Sequence, residues 1–178
     1  IFAPVRTFTY MLALYKQHFQ GLTLDSETST LVQETIASLE AASASIEEIA
    51  EPPVLVHGDL QPQNLMFRRN NDHSDHSDHS ELPQIAAVLD WEDAAIADRR
   101  FELLLICRKV VANIEQAKAV WGYYAELTQS FIGELRPWLQ LEALHALCTY
   151  KLQLNNPQSA PSNFEEKVGR ELQRLKNL

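Results

Sequence analysis

Residues 54–67 read Val54-Leu55-Val56-His57-Gly58-Asp59-Leu60-Gln61-Pro62-Gln63-Asn64-Leu65-Met66-Phe67. A short β-branched run delivers a polar loop, and a second apolar run, Asn64 to Arg68, leaves it. The loop carries an aspartate and, five residues on, an asparagine at the start of the next strand. A third apolar run, Ile85 to Leu89, ends in Asp90-Trp91-Glu92-Asp93, which puts Asp90 26 residues beyond Asn64. The last two runs have the pattern of hairpin arms. Phosphoryl transfer needs residues of these types: one carboxylate to orient and deprotonate a hydroxyl, and oxygen ligands to hold Mg²⁺ against a triphosphate. An asparagine amide oxygen is a neutral ligand, so it holds a cation without adding repulsion toward the phosphates.

Outward from this centre the period becomes helical. Val5, Phe8, Leu12, Tyr15 and Phe19 recur at steps of three and four, with Gly21 where a left-handed cap belongs. Asp25 and Ser26 are cap candidates for a second helix with the stripe Val32, Ile36, Leu39, Ile46 and Ile49, stopped by Pro52-Pro53. Downstream stripes run through Phe101, Leu104, Leu105 and Val111, then Val120, Tyr123, Tyr124, Leu127 and Phe131, then Leu139, Leu141, Leu144, Leu147 and Leu154. Ser162 with Glu165 forms a capping box before a final basic helix. Most of these apolar positions are expected in the core. Seven acids and no lysine or arginine lie between Leu22 and Val56, which reads as a solvated face or, alternatively, an acidic wall for a cationic ligand. The hairpin connection holds Asp-His-Ser three times over residues 72–80. That density of imidazole and carboxylate can bind a transition metal, but its composition fits a polar loop with no core to join.

At 178 residues the chain can bury a proper core, and 46% hydrophobic with 22% charged residues excludes wholesale disorder and fibres. A formal charge of −9 argues against nucleic acid and anionic membrane as partners. No apolar run approaches the ~18–20 residues of a membrane span. Cys107 and Cys148 sit in apolar helical contexts, which suits buried free thiols of a reducing, cytoplasmic compartment. No signal-peptide pattern opens the chain, and its start at Ile1 rather than Met is expected of a fragment or processed product.

His57-Gly58-Asp59-Leu60-x-x-x-Asn64 followed by Leu89-Asp90-Trp91-Glu92-Asp93-Ala94 resembles the aminoglycoside phosphotransferase/choline kinase-like branch of the protein-kinase-like fold. The resemblance implies Asp59 as catalytic base, Asn64 and Asp90 as Mg²⁺ and nucleotide ligands, and His57 as a brace of the catalytic loop. Ala97-Asp98-Arg99-Arg100-Phe101-Glu102-Leu103 looks like the family's next helix opening, with Glu102 in place of the usual aspartate and Asp98 suited to an N-cap. The motifs cover roughly residues 54–105. The implied architecture is α+β and mostly helical: the C-terminal lobe of a kinase-like fold around a small strand-loop-hairpin element. It would comprise leading helices 1–53, catalytic and metal loops with the hairpin 54–93, and a helical substrate-side subdomain 94–178.

A nucleotide-covering lobe is not legible. The five glycines are scattered singly, and Lys16, the one lysine before the loop, sits in a helical segment. The expectation is therefore a catalytic lobe whose N-terminal nucleotide lobe is absent, inactive alone, and prone to form a homo-oligomer through the exposed lobe face. The complete enzyme would use ATP and Mg²⁺ to phosphorylate a small-molecule hydroxyl. The acidic balance favours a cationic acceptor such as an aminoglycoside, choline or an amino sugar. Two other readings stand beside it: a truncated, non-catalytic kinase-like binding domain, and a metallophosphoesterase built on the Gly58-Asp59 strand end. The latter lacks the further histidine motifs its site needs.

Overall fold

The computed structural model describes residues 5–68, 84–109, 113–154 and 164–178. Among these residues six α-helices follow in chain order: α1 (Phe8–Gln20), α2 (Ser26–Glu48), α3 (Arg99–Lys109), α4 (Ile114–Thr128), α5 (Leu135–Leu154) and α6 (Phe164–Asn177). Between α2 and α3 the described residues form the short strands β1 (Val54–Val56), β2 (Leu65–Arg68), β3 (Gln84–Val88) and β4 (Ala95–Ala97). The chain is thus α+β and mostly helical.

α5 is the central post. Trp138, Leu141, Leu144, Leu147 and Cys148 on it are essentially inaccessible, and α1, α2, α3 and α6 all pack on it. Phe8 meets the Trp138 ring edge-on at 5.1 Å. Thr7 caps α1 by accepting the Tyr10 N–H, so Val5 falls outside the helix and is exposed. Gly21 ends α1 at φ −88°, a right-handed close through His18 and Phe19 carbonyls rather than the expected left-handed one. Asp25 caps α2 as read: the backbone N–H and then the hydroxyl of Thr28 donate to its carboxylate, holding its pKa below the usual range.

α4 corrects the sequence reading. Its buried face is Ala117 and Trp121, whereas Tyr123, Leu127 and Phe131 are 66%, 68% and 77% exposed. α4 carries apolar residues on more than one side, and the tryptophan, whose indole N–H donates to the Gly133 carbonyl at 2.9 Å, takes the inward face. Val111, Ser162 and the Asp-His-Ser repeat lie outside the described residues.

The strands form two antiparallel pairs. β2 and β3 are the expected hairpin arms, in register Leu65↔Val88, with an irregularity between Met66 and Phe67. β1 pairs with β4, Val54↔Ala97 through Val56↔Ala95. The three residues Ala95-Ile96-Ala97 are too brief to carry a legible period, so β4 has no sequence signal. Arg6 adds a parallel bridge to Ala97 on the other edge of β4. Cys107 and Cys148 are buried and unbridged, and burial pushes the Cys107 thiol up to about 11.

Candidate functional site

The strand pairs set the site. β1 ends at buried Val56 and hands over to His57, itself 4% exposed. His57 Nδ1 accepts the Asp59 N–H at 3.2 Å, which assigns the ring proton to Nε2, the donor to the Leu89 carbonyl at 2.7 Å. One imidazole therefore ties the loop after β1 to the loop after β3.

Gly58 makes that crossing feasible. Its φ is +82°, and a Cβ there would lie 2.4 Å from the Asp93 carbonyl oxygen. Only glycine lets the two loops approach so closely. The Gly58 N–H donates to Glu102 Oε2 at 2.9 Å, so the first turn of α3 also holds the loop. The glutamate that departs from the family pattern still reaches this backbone, while its Oε1 is buried with no hydrogen-bond partner among the described residues. α3 is itself fixed from the other side. Asp98 accepts the Arg100 N–H at its N-cap and pairs with the Arg100 guanidinium, both side chains nearly inaccessible. Arg100 also donates to the Ile46 carbonyl and lies 5.0 Å from the Trp138 ring centroid.

Asp59 is half-buried at the head of this loop. Its Oδ2 accepts Gln61 Nε2 at 2.6 Å and Asn64 Nδ2 at 3.1 Å. Asn64, 7% exposed, closes a 3₁₀ turn over Pro62–Asn64 and also donates Nδ2 to the Asp59 carbonyl at 3.0 Å. With the amide nitrogen so engaged, its Oδ1 is the atom left for another ligand. The Asn64 carbonyl accepts the Leu89 N–H at 2.8 Å, which sets Asp90 at the adjoining strand end. Asp90 is exposed at φ +63°, and Glu92 and Asp93 are exposed beside it.

His57, Asp59, Asn64 and the Asp90 backbone thus converge, though 32 residues separate His57 from Leu89. Sequence reasoning did not foresee Gln61 on the Asp59 carboxylate; the polar run after Asp59 was its only signal. Among the described residues no three His, Cys, Asp or Glu side chains cluster as a metal site. A cleft of about 540 Å³, lined by Cys107, Ala117, Leu139, Arg170 and Arg174, opens elsewhere. No helix among the described residues is long and apolar enough to cross a membrane.

Among the solved structures that resemble the chain are two that share 16% identity with it. The GDP and kanamycin complex of APH(2")-IIia matches with a TM-score of 0.60 over 98% of this chain and 52% of that one. Spectinomycin phosphotransferase APH(9)-Ia, in complex with ADP and spectinomycin, matches at 0.46 over 94% and 44%. The chain spans about half the length of the solved structures it matches. No curated protein matches it in sequence. The model of the phosphotransferase enzyme family, APH, matches residues 6–138. With well over half of the chain inside that match, and its Asp59 loop held as described, the chain belongs to the APH phosphotransferase family.

Proposed function

We propose that the chain is the C-terminal catalytic lobe of an ATP-dependent phosphotransferase that moves the γ-phosphate to a hydroxyl of a small molecule. Its parts are the leading helices 1–53, the catalytic and metal loops 54–93 and the helical subdomain 94–178. The observation that carries this reading is the Asp59 carboxylate, held by Gln61 and Asn64 while Asn64 keeps Oδ1 for a second role. Asp59 orients the acceptor hydroxyl and takes its proton. His57 braces the loop through Leu89 and touches neither substrate. The GDP and kanamycin bound in one solved structure of this fold support a nucleotide donor and a small acceptor.

The donor set suits Mg²⁺: an amide oxygen and a carboxylate on adjoining strand ends. Bound there, Mg²⁺ would neutralise charge on the triphosphate. Asn64 Oδ1 and Asp90 would hold it, leaving Asp59 to the hydroxyl. An N-terminal lobe would cover the nucleotide. The exposed apolar side chains Leu55, Ile96, Met66, Phe67 and Ile85 on the strand pairs support such a covering surface, or self-association when it is bare. The acidic balance favours a cationic, amine-bearing acceptor, and the two buried free thiols favour the cytoplasm.

The test is Asp59→Asn in the whole enzyme. Loss of the base should lower kcat by about 10²–10⁴-fold with nucleotide affinity nearly unchanged. A variant keeping more than about a tenth of wild-type kcat would remove Asp59 from that role.

A further inference from the structure

Asp90 and Gln129 are the two non-glycine residues with positive φ among the described residues, and Gln129 merely ends a helix. Aspartate tolerates the left-handed region without preferring it, so its neighbours must hold it there. On one side Leu89 is clamped twice, its N–H by the Asn64 carbonyl and its carbonyl by His57. On the other side the Trp91 indole N–H donates to the Val88 carbonyl at 3.0 Å, closing the chain back across Asp90. The Trp91 ring also lies 4.8 Å from the His57 imidazole, tilted by 58°. Trp91 is 49% exposed, so core burial does not account for a tryptophan here.

We propose that Trp91 is a positioning residue: its indole hydrogen bond and its ring against His57 keep the 88–91 turn closed and Asp90 in the left-handed conformation from which it binds a hard divalent cation. This rests on the reading of Asp90 and Asn64 as cation ligands. A phenylalanine would keep a ring for His57 and lose the donor. When the binding-competent fraction of the turn falls, the apparent dissociation constant rises in inverse proportion. Loss of one such hydrogen bond corresponds to about a threefold to tenfold change.

The experiment uses Mn²⁺ alone, an ion suited to carboxylate and carbonyl oxygen, with free ion counted by electron paramagnetic resonance. The 178-residue chain is compared with Trp91→Phe, Trp91→Leu and Asp90→Asn, and hydrogen–deuterium exchange is followed over residues 86–93. Trp91→Phe should bind Mn²⁺ about threefold to tenfold more weakly and Trp91→Leu more weakly still. Both should exchange faster at the Leu89 amide, with thermal midpoints near wild type. If both bind like wild type while Asp90→Asn loses the ion, the positioning role is wrong and the ligand assignment survives. If Asp90→Asn also binds like wild type, the ligand assignment fails and the proposal with it.

Discussion

Gly58→Ala isolates the contact on which the whole site depends. At an unstrained position this change stabilises a protein by about 0.4–1 kcal/mol, because alanine restricts the unfolded chain. Two terms oppose that gain at Gly58. A side chain at φ +82° costs about 1–2 kcal/mol. The new Cβ would also stand 2.4 Å from the Asp93 carbonyl oxygen and 3.0 Å from its carbon, where ordinary contact begins near 3.4 Å. Those are backbone atoms, so no rotamer change relieves the clash; one loop must move by about an ångström, and overpacking of this kind costs about 1–3 kcal/mol. Movement also stretches the Gly58 N–H bond to Glu102. The net expectation is a loss of about 2–4 kcal/mol, read as a lower midpoint in urea followed by circular dichroism with an unchanged slope. A midpoint at or above wild type would show that the two loops do not touch as described.

Arg100→Ala should cost about 3–5 kcal/mol in the same assay, because it leaves the buried Asp98 carboxylate unpaired. In the whole enzyme, Asp90→Ala should raise the Mg²⁺ requirement and depress activity strongly, with Asn64→Ala milder in the same direction; unchanged Mg²⁺ titrations in both would remove them as ligands. The Cys107 thiol titrates near 9.0 when unfolded and about 11 when buried, so the folded state holds its proton more tightly. Its stabilisation is complete below pH 9 and declines as pH climbs toward 11; a thiol reagent at pH 8 should modify it only after unfolding. The 178-residue chain alone should bind Mg-ATP at millimolar levels or worse, about −4 kcal/mol or less favourable, without turnover; micromolar binding by calorimetry would show a more complete nucleotide site than proposed.

The hairpin, the loop and the helical stripes of α1 and α2 are legible because each is a local pattern. Val32, Ile36 and Leu39 repeat at helical spacing and are buried at that spacing. Asp25 and Asp98 are legible for the same reason, since a cap answers to backbone groups within its own turn. What resists reading is nonlocal. β4 exists because Val54–Val56 lies ready to pair with it, and nothing within Ala95-Ile96-Ala97 says so. Tyr123, Leu127 and Phe131 form as good a stripe as Ala117 and Trp121, and the choice between them is made by α3 and by Trp138 of α5, whose ring lies 6.5 Å from that of Trp121. Within the site, aspartate and asparagine are visible as types. The reach of Glu102 to Gly58 across 44 residues is not.

The bridge between Arg6 and Ala97 joins positions 91 residues apart in the chain. Arg6 donates to the Ile96 carbonyl and accepts the Asp98 N–H, so the stretch before α1 fixes the strand that feeds α3. The α1–α2 and α5–α6 contacts and the β2–β3 hairpin, by contrast, link segments that follow one another directly. Closing the longer loop costs entropy before its contacts repay any of it. Folding order is thereby biased: neighbouring helices consolidate early, while β4, and with it the stance of Asp59, is completed late. A scan of folding and unfolding rates should then find small φ-values at Leu55 and Ala97 and larger ones along the α1–α2 seam. Chemistry in this molecule would be assembled at its last closure.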